Sequence, residues 1–516
     1  MTHEVVVVGA GIGGLTVAAL LAARGVDVCL LERESGPGGC VAPFEKFGYT
    51  FDPGAGLYPL WQKGEIHDQI FSQLPVSPPE VSLRDPGYVV RLPDQSDIPI
   101  SANREQFEDA LRTIFPECVD RAIGFYREST LISDVLRRAL LRVPDLHSAS
   151  SLRKTYALLP DFLRAARIVK ARNDSTAAHL GGTSFRFRRF VDAQLQLLAQ
   201  APSDECSFLY STLALTIPRE GLFSIRGGAP ALAARLAESL KASGGKIRFD
   251  TPVLRLSYDA SGRAVGVDLL SGETVGASRA IVSNLTVWDT YGKLIGLNRT
   301  PLPIRKRLTT LRSWGVYLLY LGLDAAAASR IPSTHILTVT DWQEQQSYNP
   351  ETDQLMLSTS PEWDPRAPEG RRAATVLTFS DVEEWFTFQA DEQQHEEKDR
   401  SALETWWERL YKSIPELGAG VELIETATPR TFYDLTRRKL GMVGAVRDST
   451  QTFGPNWWDW RTFLPNVFLT GDTVFPGGGL AGVSHAALAL ANRLTKQDHT
   501  LQLAPNNAKT RVPGAA

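Results

Sequence analysis

Cysteine is scarce in this chain: its 516 residues include four, Cys29, Cys40, Cys118 and Cys206, with no C-x-x-C pair. That usage offers no disulfide framework and suits a reducing compartment, so a cytoplasmic location is expected. The eight histidines are scattered without an i, i+4 pair, so no metal site is expected. Charge of one sign is also missing. Fifty-five Lys and Arg against 58 Asp and Glu leave a net charge of −3, which argues against nucleic acid as a partner. No uninterrupted run of about 18 apolar residues suggests a spanning helix. Residues 5–23 are apolar but lack the basic start of a signal peptide. No G-x-S-x-G is present, so a serine-hydrolase elbow is not expected.

What remains is a chain with 43 % apolar and 22 % charged residues, ordinary for a folded protein and long enough for two or three domain-sized units. Residues 4–8, Glu-Val-Val-Val-Val, read as a buried parallel strand, because they are β-branched and do not alternate. A helix over 15–24 stopped by Gly25, and a second buried strand at 27–31, complete a β-α-β start. Further on, the patterns predict a helix at 101–113 opened by Ser101 or Asn103. Residues 130–172 read as largely helical, with breaks near Pro144 and Pro160. A helix at 229–243 precedes strands at 246–258, 264–270 and 280–283. Strands of another character are expected at 315–323 and 374–379, and an amphipathic helix runs to about 413. A buried strand at 466–470 and a helix at 479–494 close the folded part. Elements of nucleotide-binding type thus occur at the start, middle and end. The expected organisation is one such domain from 1–75, 216–294 and 436–500, a second from 76–215 and 295–435, and a flexible tail at 501–516.

The first turn carries chemistry. Gly9, Gly11 and Gly14 stand in register with G-x-G-x-x-G, with Gly13 between them. Gly9 permits the tight turn, Gly11 lets a pyrophosphate approach the backbone, and Gly14 lets the helix pack on the sheet. The helix N-terminus then offers free N–H groups and a partial positive charge to the phosphates. Glu32, with Arg33 beside it, ends the second strand, where a carboxylate accepts from ribose hydroxyls and disfavours a 2′-phosphate. The motif alone does not separate NAD from FAD. Two other segments favour FAD: Gly38-Gly39, a second place for close backbone approach, and Val467 to Asp472 followed by Pro476-Gly477-Gly478-Gly479. There Asp472 ends a strand where a ribityl hydroxyl could be bound, and the next helix could face the flavin.

Together these segments resemble the FAD-dependent carotenoid desaturase and isomerase family, which includes bacterial-type phytoene desaturases, carotene cis–trans isomerases, hydroxycarotenoid desaturases and, more distantly, retinol saturases. The resemblance covers most of the chain. It rests on residues 5–32, Gly38-Gly39 with 48–52, 225–228, 244–253, Ile281-Val282-Ser283-Asn284, Thr428-Pro429 and 471–483. It implies an α/β fold: a discontinuous Rossmann-like FAD-binding domain with an inserted α+β substrate domain. It also implies that Gly9, Gly11 and Gly14 hold the pyrophosphate, Glu32 the ribose, Val253 the adenine and Asp472 the ribityl chain, with Gly482 and Val483 near the ring. Two positions depart from it: Cys40, where many desaturases carry a basic residue, and His485, where a small or hydroxylated one is expected.

The resemblance implies an apolar polyene substrate, with desaturation by hydride transfer to flavin N5 as the first expectation. Its rivals are cis–trans isomerisation with reduced FAD, saturation of a polyene, amine oxidation, and binding without catalysis. Asp52 and His485 are the candidates for proton handling or substrate positioning; each could equally be structural, Asp52 as a turn acid and His485 as a core histidine. The arginines and lysines at 137, 138, 142, 153, 154, 164, 167, 170, 172, 186, 188 and 189, set among apolar residues, suggest peripheral binding to a membrane surface. Aromatic clusters at 385–388, 406–407 and 457–460 could line a channel, though core packing is the commoner use.

Overall fold

The computed structural model describes residues 1–143, 146, 151–342, 347–387, 391–447 and 458–496. The tail and two of the clustered aromatics, Phe388 and Trp457, lie outside the described residues, as does the break at Pro144.

Strand Thr2–Val8 lies between two parallel partners, Val28–Leu31 and Thr274–Ser283. Lys246–Arg248 extends the sheet beyond Val28–Leu31, and Val467–Leu469 pairs in parallel with the far part of Thr274–Ser283. Valines 5–7 are fully buried, which is why this strand is apolar on both faces. Helix Ile12–Ala23 packs against Gly228–Ala242 and Gly479–Lys496. Chain pieces hundreds of residues apart therefore build one Rossmann-like sheet, and its register aligns Val8, Leu31, Ser283 and Leu469 at one edge. Every loop that follows these strands leaves from the carboxyl edge, where open α/β sheets bind their ligands.

Two elements differ from the sequence reading. The first helix begins at Ile12, inside the glycine loop, and Gly25, with φ of +83°, ends it. The single strand expected at 246–258 is two. Lys246–Arg248 sits at one edge, whereas Val253–Tyr258 pairs antiparallel with Ala264–Leu269 on the other side of the sheet. The break falls at Asp250, which is left-handed with φ of +50°, and at Pro252, which has no N–H for a ladder.

The inserted part contains an eight-stranded sheet in the order Val421–Ala427, Arg312–Leu323, Arg372–Ser380, Gln354–Thr359, His335–Val339, Tyr88–Arg91, Asp97–Ile100, with Val443–Arg447 also pairing with Arg312–Leu323. Strand alternation feeds two cores. Leu318 and Tyr320 join the core shared with helices Val119–Arg142, Phe185–Ala199 and Phe208–Thr216, while Tyr317, Leu319 and Leu321 join the one containing Trp406 and Leu410 of helix Glu392–Ser413. Trp385 and Trp406 are buried there, and Trp458 and Trp460 in the core of the Rossmann-like sheet. These clustered tryptophans are packing residues.

Candidate functional site

The glycine loop is built by close approach. Gly9 takes φ of +98° and donates its N–H to the Leu31 carbonyl at 2.8 Å. A Cβ on Gly11 would stand 2.7 Å from Asn284 Nδ2, and one on Gly13 2.6 Å from Asn284 Oδ1 and 3.1 Å from the Gly471 nitrogen. Gly14 packs on the Gly9 carbonyl and Asn284 and does not line the cavity described below, so its part is helix packing. Gly38 donates to the Ala10 carbonyl at 2.9 Å, and Gly39 faces Gly11. Helix Ile12–Ala23 has no side-chain cap and no acid in its first turn, leaving N–H groups and the positive end of its dipole open.

Glu32 reaches back over this loop. Its carboxylate accepts from the Ala10 N–H at 2.6 Å and the Glu34 N–H at 2.9 Å. A carboxylate has about four acceptor sites, so two remain for a pair of ribose hydroxyls. Asp472 is more heavily used. Arg438 donates to it from both Nη atoms, at 3.2 and 2.9 Å, and the Gly444 N–H donates at 3.1 Å. One acceptor position is left for a hydroxyl. The half-buried Cys40 thiol lies beside Arg438; desolvation pushes its pKa up, and the guanidinium opposes that shift.

These groups line a single cavity of about 690 Å³. Of the residues expected to form the site, Gly9, Gly11, Gly13, Glu32, Arg33, Gly38, Gly39, Val253, Gly471, Asp472, Gly482 and Val483 line it, and so do Asp52 and His485. Arg33 donates to the Leu435 carbonyl at 2.6 Å. Gly482 packs against the Gly477 carbonyl, so the first turn of helix Gly479–Lys496 lies close on the loop that enters it. The cavity continues into the inserted part between Leu140, Leu197, Leu213, Ile217, Leu377 and Phe379.

Asp52 accepts from the Tyr58 hydroxyl, which in turn accepts from the Ala229 N–H at 3.2 Å. Arg366 stands 3.6 Å away and is itself held by Asp364 at 2.6 Å. Burial raises the Asp52 pKa, with Arg366 and Tyr58 opposing the shift. Sequence reasoning missed Tyr58, Arg366 and Arg438. Only Tyr58 carried a signal, as an aromatic six residues after the turn acid.

A sequence model of the family described as "Flavin containing amine oxidoreductase" matches residues 12–495. The chain belongs to this family. It is an FAD-dependent oxidoreductase-type enzyme, and the residues around the glycine loop fit the cofactor: a cradle only glycine allows, open helix N–H groups and spare acceptors on Glu32 and Asp472. The chain is similar to the chloroplastic prolycopene isomerase of Arabidopsis thaliana, at 26% identity over 95% of this chain and 82% of that protein. It is similar also to the all-trans-retinol 13,14-reductase of Rattus norvegicus, at 25% identity over 99% of this chain and 88% of that one. Among solved structures, an oxidoreductase from Methanosarcina mazei superposes with a TM-score of 0.63 at 18% identity, covering 95% of this chain and all of that chain. Putrescine oxidase bound to putrescine gives a TM-score of 0.65 at 13% identity, covering 97% of this chain and 100% of that one. These two share the fold.

Proposed function

We propose that this flavoprotein acts on a carotenoid- or retinoid-like polyene and that its reaction is cis–trans isomerisation. The observation that carries the reading is the continuity of one cavity from the glycine loop and Glu32 into an arm lined by Leu140, Leu197, Leu213, Ile217 and Phe379. An apolar arm of that kind takes up a long hydrocarbon and keeps water from it. Bound FAD supplies a two-electron carrier at the polar end. The chain's own contribution is positioning plus one acid: Asp52, its pKa raised by burial, can hold or return a proton at the cavity wall, and Tyr58 aligns its Oδ2. The name of the isomerase relative favours this reading over the desaturation first expected from sequence, whereas that of the retinol reductase favours saturation, the rival that the test separates. Anaerobic mixing with a cis-polyene tests it. Isomer formation only after prior reduction, with no net oxidation, supports it. Bleaching of the oxidised flavin in proportion to substrate identifies a desaturase, and a product lacking one double bond identifies a saturase; either overturns it.

A second surface fits a substrate that lives in lipid. Leu152, Tyr156, Leu159 and Val169 are exposed, at 85, 66, 61 and 56 %. Leu141, half exposed, also lines the cavity. Lys154, Arg167 and Lys170 lie on the helices Ser151–Leu158 and Phe162–Ala171, and Arg172 caps the second. The basic cluster is smaller than its sequence suggests. Arg137 pairs with Glu65 and Glu220, Arg138 and Arg142 with Asp161, and Arg189 is buried. No described helix is long and apolar enough to cross a membrane. Peripheral docking through this face predicts flotation with liposomes, lost when Leu152 and Leu159 are both changed to Asp.

A further inference from the structure

Two carboxylates flank one guanidinium behind the wall of the flavin cavity. Arg366 Nε donates to Asp364 Oδ2 at 2.6 Å, whereas its Nη1 stands 3.6 Å from Asp52 Oδ2, too far for a full hydrogen bond. Its Nη2 donates to the Ile225 carbonyl at 2.9 Å. Asp364 is buried, and the same Oδ2 also accepts from the Gly227 N–H at 2.9 Å. Asp364 and Arg366 lie on the loop between strands Gln354–Thr359 and Arg372–Ser380. That loop is tied to the strand before Asp52, because the Arg366 carbonyl accepts from the Thr50 N–H at 2.8 Å. Gly228 lies against the gap: a Cβ there would stand 2.7 Å from Asp52 Oδ2 and 2.8 Å from Arg366 Nη1. The spacing between acid and guanidinium is therefore fixed from three sides.

The charges of this cluster balance in one protonation state only. Arg366 and Arg84, the last residue of strand Val81–Arg84, match Asp364 and an ionised Asp52. Protonating Asp52 leaves one positive charge over, while burial favours the protonated form. The other groups facing Asp52 keep their state. Burial and the nearby Asp52 raise the pKa of both the Tyr58 and the Tyr320 phenol, so each stays protonated. Burial and the Arg84 guanidinium keep His335 neutral. What remains to be set is how much of the Arg366 charge reaches Asp52, and Asp364 takes the closer share.

We propose that Arg366 and Asp364 are positioning residues for Asp52, Asp364 holding the guanidinium one step back from the acid so that Asp52 feels its charge without closing a full ion pair. A guanidinium in direct contact would leave a permanent carboxylate, and none at all would leave a permanent carboxylic acid. At the intermediate distance Asp52 can hold a proton and release it. Neither Arg366 nor Asp364 is among the described residues lining the flavin cavity, so both act through Asp52. The inference rests on the reading of Asp52 as the acid of the cavity wall.

The test uses the FAD-loaded full chain and the infrared C=O band of a protonated carboxyl, assigned to Asp52 by its loss in Asp52→Asn. The pH midpoint of that band is compared among variants. Arg366→Gln should raise it by about 1–3 pH units, because the neighbouring cation is gone. Asp364→Asn should lower it by about one pH unit, because the competing carboxylate is gone while an amide oxygen still accepts from Arg366 Nε. Arg366→Lys should bring the midpoint back towards the wild-type value. The pH limb of isomer formation by the reduced enzyme should move with the band. A packing role alone would not produce shifts of opposite sign. If Arg366→Gln does not fold, Asp364→Asn decides alone. A midpoint that Asp364→Asn leaves in place or raises overturns the proposal, as does the absence of any band that Asp52→Asn removes. Normal turnover by Asp52→Asn, with the infrared shifts as stated, overturns the part given to Asp52 in the reaction and supports the positioning of its proton.

Discussion

Asn284 stands between the two glycines that a phosphate must approach. Its amide is the nearest group to a Cβ on Gly11, at 2.7 Å, whereas Gly13 is hemmed in by the Gly471 backbone as well. Gly11→Ala should therefore lower both Tm and FAD affinity, the latter by more than about tenfold. Adding Asn284→Ala should restore Tm, because the clash is with that side chain, but not flavin binding, because the methyl still fills the cradle; fluorescence titration with FAD separates the two. At this scale the sequence was readable wherever function depends on close neighbours along the chain. Gly9, Gly11 and Glu32 belong to one β-α-β unit. Arg438 was not readable: nothing local distinguishes it from Arg437, and its partner Asp472 lies 34 residues on.

Elements were legible by pattern but not by partner. The apolar run at 315–323 announces a strand; that it feeds two cores becomes visible only when both faces are covered. Alternation alone also joined 246–258 across a left-handed Asp250. Two inter-element contacts yield tests. Arg438 ties the segment after helix Pro429–Thr436 to the end of strand Val467–Leu469. Arg438→Gln leaves the Asp472 carboxylate with half-lost pairing in a site where its side chain is only 19 % exposed, so unfolding free energy should drop by about 3 kcal/mol and FAD should bind more weakly. Glu108, on helix Arg104–Ile114, bonds Arg127 of the next long helix at 2.7 and 3.0 Å, and Arg104. The Arg127 bonds foremost hold its pKa down to about 2, below an ordinary value of 4.5. A depressed folded value stabilises above pH 4.5, and that contribution disappears as pH falls through about 2. Glu108→Gln should cost about 1 kcal/mol at pH 7, reduced by the exposure of both arginines, and nearly nothing at pH 2; urea titrations at the two pH values check this.

At the scale of the molecule, the cavity that fits the cofactor is lined by three pieces of chain at once, around residues 9–13 and 32, at 253 and at 471–483. Removing FAD should therefore loosen all three together. Hydrogen exchange of flavin-free protein should show coordinated loss of protection there, and FAD at a hundredfold its Kd should recover about 2.7 kcal/mol. The same topology bears on how the protein is made. Glu32 leaves the ribosome long before Asp472, roughly twenty to ninety seconds at ordinary elongation rates. Throughout that interval the first half of the nucleotide cradle exists without its last wall, and strand Thr274–Ser283 waits for Val467–Leu469 to cover it. Acquisition of flavin thus reports that translation has reached the end of the fold. Chains terminated before residue 467 should emerge colourless, exposing an unpaired strand edge to proteolysis.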